Sequence, residues 1–188
     1  MRLDHRIAII TGAAGGLGRA TAERLAQEGA HLCLSDRALC PELLASVRSC
    51  GVRAIDIPAD VTHAAAVSHL VERALAEFGR VDVLVNIAGI SSHGASDDVD
   101  EAEWERVIRG NLTSVFLCCK AVLPAMRAQG YGRIINMSSV LGRNGGNPRP
   151  WIDSSEQARA GNLAYGASKA GVNALTFFLA KENAKHGI

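Results

Sequence analysis

The stretch RIAIITGAAGGLG (6–18) decides how the chain folds. Its first part, RIAII (6–10), is a short continuous apolar run, the composition of a strand covered on both faces. Its second part, TGAAGGLG (11–18), is a glycine turn opening a helix that carries Leu25. Strand, glycine turn and helix N-terminus in that order aim backbone N–H groups and the positive helix end at a pyrophosphate. Gly12 permits the tight turn, Gly16 lets the backbone approach a ligand, and Gly18 lets the helix lie close to the sheet. The spacing Gly-x-x-x-Gly-x-Gly is one residue off the usual GxGxxG fingerprint. A plain turn is the alternative use of such glycines, and the position between strand and helix favours a dinucleotide site.

Outward from this point, further apolar runs recur as AHLCLS (30–35), RAIDIP (53–58), VDVLVN (81–86) and GRIINMS (132–138). Longer segments of helical period separate them. Within 63–78, Val67, Leu70, Val71, Ala74, Leu75 and Phe78 form one core-facing stripe. PELLASVRSCG begins with Pro41 at a tolerated first-turn position and stops at Gly51. Five strand–helix alternations predict an open α/β parallel sheet with right-handed crossovers. A length of 188 residues suits one domain, 1–188, with no linker or repeat.

Composition excludes several function classes. A net charge of +1 gives no case for nucleic acid or an anionic membrane. No segment approaches the roughly 18 apolar residues of a spanning helix, and the N-terminal apolar run is too short for a signal peptide. The expectation is a soluble, cytoplasmic protein. The five cysteines (Cys33, Cys40, Cys50, Cys118, Cys119) show no CxxC pair or zinc spacing and read as free thiols in a reducing compartment. His63, His69 and His93 lack metal spacing and fit surface or cap roles. Asp97, Asp98 and Asp100 fit a solvated loop and helix start, not a calcium site, and Trp104 reads as a packing residue. No metal is expected.

The second strand ends at Asp36, eighteen residues after Gly18. A carboxylate there accepts hydrogen bonds from ribose hydroxyls and repels a 2′-phosphate, which predicts NAD over NADP. Arg37 follows and keeps NADP open. Capping of the strand–loop junction is the alternative role for Asp36.

Taken in order, these motifs and those that follow resemble the short-chain dehydrogenase/reductase family. TGAAGGLG resembles its TGxxxGxG. Asp60–Val61 resembles its adenine-contacting pair, and NIAG (86–89) its NNAG. Asn111, in IRGNLTSVF, falls at its catalytic-helix asparagine. NMSS (136–139) supplies the serine, Ser139, and YGASK (165–169) matches YxxxK. The resemblance covers essentially the whole chain. It implies a Rossmann-like doubly wound sheet and assigns Gly12, Gly15, Gly16, Leu17, Gly18, Asp36, Asp60, Val61, Asn86, Ala88 and Gly89 to the cofactor, joined by Tyr165 and Lys169.

Tyrosine and lysine four apart share one helix face and often do no more than that. Chemistry gives the pairing a use. A free phenol titrates near pKa 10, and an adjacent ammonium favours its ionised form, so the pair suits general acid–base work. By resemblance, Lys169 also binds the nicotinamide ribose, Ser139 orients the substrate oxygen, and Asn111 holds a water in a proton relay.

Two departures stand out. Ser139 and Tyr165 are separated by twenty-five residues. Roughly a dozen of these look inserted, and 148–160 is expected to form a flap anchored by Trp151. Ser154 or Ser155 could then be proposed as the catalytic serine, but Ser139, at a strand end, is the more rigidly held. The chain also stops at KHGI, before the strand and proline–glycine segment usual in the family. The sheet is therefore expected to lack the usual C-terminal strands, leaving 132–138 as an apolar edge and Val172, Leu175, Phe178 and Leu179 as a stripe built to be covered. That implies a fragment or crippled form of a longer enzyme.

The leading expectation is an NAD(P)-dependent oxidoreductase acting on a small-molecule secondary alcohol or ketone (a polyol, sugar or 3-oxoacyl compound), assembled as a homo-oligomer. By resemblance, helices at 111–126 and 162–185 make the dimer contact. The alternatives are a non-catalytic dinucleotide-binding or scaffold protein and, more weakly, a sugar-nucleotide epimerase or dehydratase.

Overall fold

Each apolar run becomes a parallel strand. The computed structural model describes residues 2–92, 94, 96–145 and 149–188, the side chains of 158–160 excepted. His93 and the start of the expected flap at Pro148 lie outside the described residues. The strands are β1 (Ile7–Thr11), β2 (His31–Ser35), β3 (Ala54–Asp56), β4 (Val83–Asn86) and β5 (Arg133–Asn136). They form one sheet in the order β3-β2-β1-β4-β5, parallel at every pairing. The order reverses between β1 and β4, where a doubly wound sheet opens a crevice at its carboxyl end.

Alternation along β1 divides the core. Ile9 faces one layer, with Val67 and Leu70 of α3 (Ala64–Phe78) and Val115, Val122 and Met126 of α5 (Ser114–Gln129). Val172 of α8 (Leu163–Asn183) completes that layer. Ala8 and Ile10 face the other, with Ala22 and Ala26 of α1 (Gly16–Gln27) and Leu43 and Val47 of α2 (Pro41–Arg48). Fully burying one such leucine or valine contributes about 1.5–3 kcal/mol, so both faces of β1 are committed.

Element ends depart from expectation for local reasons. The run 53–58 yields only three residues of strand, beyond which Ile57 N and Ala59 N still donate to Leu34 O and Asp36 O at 2.9 and 2.8 Å on either side of Pro58. At β5 the burial alternates, because Ile134 faces the layer of Ile9 while Ile135, on the opposite face, meets neither core layer and is 49% exposed. On α8, Val172 is buried and Leu175 and Leu179 are half-buried, whereas Phe178 is 74% exposed.

Helix α4 (Glu101–Ile108) starts at Asp100, whose Oδ1 accepts from Glu103 N at 2.8 Å. Trp104, expected to pack, is 39% exposed. A π turn (Arg109–Thr113) joins α4 to α5, so Glu101–Gln129 runs as one helical segment long and apolar enough to cross a membrane. The expectation that no such segment exists is corrected here, and 50% of the apolar window lies inside the protein, as in a core helix.

At the opposite end of the sheet from the crevice, Asp82 is fully buried. Its carboxylate accepts from Ile7 N at 3.0 Å, Arg6 Nη1 at 3.1 Å and Arg80 Nη2 at 2.6 Å. Burial alone would raise its pKa, but Arg80, the Ile7 amide and Arg6 together hold it below the usual carboxylate range. Cys33, Cys40, Cys118 and Cys119 are buried free thiols, and Cys50 is half-buried. Burial pushes Cys33, Cys118 and Cys119 up to about 12, so they are inert as nucleophiles.

Candidate active site

The crevice at the sheet's switch point is a cleft of about 600 Å³. Gly12, Gly15, Gly16, Leu17, Gly18, Asp36, Asp60, Val61, Ala88 and Gly89 all line it. Its shape rests on missing side chains. Gly12 has φ +71°, and a Cβ there would stand 2.6 Å from Ala88 N. A Cβ on Gly18 would overlap the Gly12 carbonyl oxygen. Gly16, by contrast, has nothing within 4 Å of where its Cβ would be. No side chain caps α1 and no acidic residue occupies its first turn. The first helical bond runs from Arg19 N to Gly15 O at 2.8 Å. The amides of Gly16, Leu17 and Gly18 are therefore left to the cleft, a ready site for an anion.

Asp36 has two roles here. Its Oδ2 accepts from Ala14 N at 3.0 Å and its Oδ1 from Arg37 N at 2.7 Å, so the carboxylate also braces the glycine loop. Asp60 accepts from Thr62 Oγ1 at 2.6 Å and Thr62 N at 2.9 Å, and these bonds lower its pKa. Asn86 is 2% exposed and does not line the cleft. Its Nδ2 donates to Asn136 Oδ1 at 2.9 Å, tying β4 to β5 behind the site. Arg106, Arg109 and Ser35 do line it and escaped sequence reading. Each is contributed by the fold, with no motif to mark it.

A smaller cavity of about 300 Å³ shares Leu17, Ile87, Gly89 and Ile90 with the cleft and carries Tyr165 and Lys169 on one wall. Lys169 is 4% exposed, and its Nζ donates to Met137 O at 2.7 Å. Burial pushes its pKa down. The same Nζ stands 5.6 Å from the Tyr165 ring centroid. Ser138 Oγ donates to Lys169 O at 3.0 Å, so the hydroxyl beside Ser139 is committed to backbone. Ser139 Oγ accepts from Leu141 N at 3.2 Å, which leaves its own proton free to donate. Ser139 is not among the residues lining the Tyr165 cavity. Ser154 and Ser155 are exposed residues opening helix α7 (Ser154–Ala160).

Asn111 is fully buried in the π turn. Its Oδ1 accepts from Ile90 N at 2.7 Å, while Nδ2 donates to Ile90 O at 2.9 Å and Ser168 Oγ at 3.2 Å. It thus fixes a wall residue of the Tyr165 cavity to α8. Among the described residues no three His, Cys, Asp or Glu side chains gather as a metal site.

The sequence matches the family described as short chain dehydrogenase over residues 6–188. The chain belongs to the short-chain dehydrogenase family. Among its relatives, cis-4-hydroxycyclohexanecarboxylate dehydrogenase of Sinomonas cyclohexanicum is 42% identical over 98% of this chain and 70% of its own length. The 1,6-dihydroxycyclohexa-2,4-diene-1-carboxylate dehydrogenase of Acinetobacter baylyi is 38% identical over 100% of this chain and 67% of its own. The solved structure of an NAD+-bound xylitol dehydrogenase superposes with a TM-score of 0.87 at 35% identity, covering 100% of this chain and 68% of that one. The chain thus spans about two thirds of the length of each. This short-chain dehydrogenase is an oxidoreductase by family, with the Rossmann-like fold of its relatives.

Proposed function

We propose that the chain interconverts a secondary alcohol and a ketone with NAD(P), using Tyr165 as the general acid–base. One observation carries this reading. The cavity bearing Tyr165 and Lys169 opens directly off the glycine cleft through four shared residues. The cleft fits a dinucleotide on its own terms, with unpaired helix-start amides, open space at Gly16 and a carboxylate at each of Asp36 and Asp60. When bound, the nicotinamide supplies or accepts the hydride.

The chain's own residues manage position and protons. Tyr165 gives its phenolic proton to the ketone oxygen in reduction and takes it back in oxidation. Lys169, anchored by Met137 O, keeps a positive charge beside the phenol and stabilises negative charge on its oxygen. Ser139, with its oxygen occupied by Leu141 N, turns its O–H toward the substrate oxygen. The Asn111 side chain is fully engaged, so a relay water belongs to its main-chain carbonyl, the kind of group a π turn releases. Two relatives are named for ring alcohols bearing a carboxylate, which favours an alicyclic hydroxy acid as substrate. Exposed Phe116 and Phe177 support association of copies through α5 and α8, and a cytoplasmic setting accords with free thiols.

Tyr165→Phe deletes the proton and little volume. Its turnover on an alcohol and ketone panel should fall by roughly 10²–10⁴-fold, with NAD affinity by fluorescence titration within a few fold. Retained turnover would remove Tyr165 from the mechanism.

A further inference from the structure

Beside the Tyr165 cavity lies a second hollow of about 500 Å³, between α6 (Leu141–Asn144), α7 and the start of α8. Asn162 lines both spaces, so the hollow continues the one that holds the acid–base pair. Its floor is made of residues with little or no side chain: Gly142, Gly161, Gly166, Ala167 and Ala170. The frame is tight. A Cβ on Gly142 would stand 2.5 Å from Ala170 N, and one on Gly161 would overlap Gly94 O. Trp151, half-buried, forms one wall.

Charge singles out one residue. Among the described residues lining the hollow, Arg143 alone carries a charge; its main-chain N donates to Val140 O at 2.9 Å, while its guanidinium is paired with no described residue. Nearby in sequence, Arg149 is already paired with Glu156 at 2.7 and 3.0 Å. Asp153, the acid at the start of α7, is occupied by Glu156 N at 2.7 Å. A guanidinium without a carboxylate therefore stands over an aromatic, small-residue hollow joined to the proton-transfer site.

We propose that this hollow is the distal substrate subsite, taking a ring that carries a carboxylate. The ring lies against Trp151, and the carboxylate meets the planar fork of Arg143, which suits bidentate pairing. Arg143 and Trp151 are specificity-determining residues, and neither touches the reacting atoms. The proposal rests on the alcohol–ketone reading and deepens it by naming the substrate's far end.

Binding can be read without turnover. In a Trp104→Phe background, Trp151 is the sole indole, and its emission reports the hollow. Cyclohexanecarboxylate should change that emission saturably, and cyclohexanol should bind at least about 10-fold more weakly. Arg143→Gln should weaken the carboxylate by roughly 10-fold or more while Arg143→Lys falls between. NAD affinity should stay unchanged in both, which shows the fold intact. Equal binding of the two probes, or an unaltered Kd in Arg143→Gln, overturns the subsite. Turnover separates the two readings. An active enzyme in which Arg143→Gln raises KM for 4-oxocyclohexanecarboxylate but leaves kcat within a few fold supports both. An active enzyme with the same KM in both forms overturns the subsite alone. Carboxylate binding lost in Arg143→Gln, in a protein that turns over no alcohol or ketone, overturns the reaction and leaves the subsite standing.

Discussion

The two ends of the site are built by different means. Around β1 and α1, every strand residue is buried and the binding surface is backbone, shaped by where a Cβ cannot go. Around β5 and α8, the strand is half-exposed, and the side chains of Tyr165, Lys169, Arg143 and Trp151 stand around a glycine- and alanine-lined floor. The first suits a ligand part that never varies, since backbone amides hold a pyrophosphate irrespective of side chains. The second suits a part that differs between substrates, since exchanged side chains there leave the sheet untouched.

Backbone construction tolerates little change, and Gly18→Ala should show the largest effect. The new Cβ would overlap the carbonyl of Gly12, a residue of the cleft wall, and press on the buried Ala13 Cα at 2.7 Å. Relief requires the loop to move, so NAD affinity by calorimetry should fall by about 100-fold or more, on the order of 3 kcal/mol. Gly16→Ala is the control, because its Cβ meets no protein atom. Its fold should melt as the parent does even if the methyl crowds the ligand. Equal, mild effects from both would mean that the cradle is not defined by Gly18.

Stability of the first region can be broken without touching its ligand surface. Asp82 sits under β1 and holds Ile7 N, Arg6 and Arg80. Asp82→Asn removes the charge that pairs with two arginines. Both are partly exposed, at 39% and 45%, so they can recover water and the loss should be about 2 kcal/mol by urea melting at pH 7. The sign in pH follows from a folded pKa below the unfolded one. The contribution is complete above the unfolded value near 3.9 and disappears as pH falls through the lower folded value. The parent should therefore lose stability on acidification more steeply than Asp82→Asn. Parallel acid limbs would place that steepness in another carboxylate.

The same contrast explains what the sequence made legible. Continuous apolar runs and a glycine turn are local signals, so the five strands could be placed from one dimension, as could ten of the eleven residues expected at the cofactor, which line one cleft. Asn86 could not, because facing the cleft or facing Asn136 is a matter of strand pleat against β5. Arg106, whose Nη2 donates to Ser91 O at 3.2 Å, Arg109 in the π turn and Asn162 on the Gly94–Asn162 bridge reach their cavities through tertiary placement that no local motif marks. A signal for α7 was present and local. Asp153 and Glu156 stand at capping-box spacing, and the structure uses Asp153 as the cap. Trp104 failed for a different reason, since an apolar residue on a short amphipathic helix need not face the core.

Cofactor choice sits where the two modes of construction overlap, and its expected effect is the smallest. Asp36 is a side chain, but its Oδ2 holds Ala14 N of the glycine loop, so removing it acts on both ribose and loop. Asp36→Ala should weaken NAD by roughly 10-fold, from lost ribose hydrogen bonds and a looser loop. NADP suffers only the second loss and gains relief from charge repulsion at its 2′-phosphate, so the NADP-to-NAD affinity ratio should rise by about 10-fold. Asp36→Asn separates the causes, because its amide oxygen can still accept from Ala14 N without the charge. If the loop dominates, Asn restores NAD binding and the ratio hardly moves. If repulsion dominates, Asn and Ala shift the ratio alike. A parent protein that already prefers NADP would hand the choice to Arg37, exposed at the cleft mouth, and Arg37→Ala should then reverse that preference.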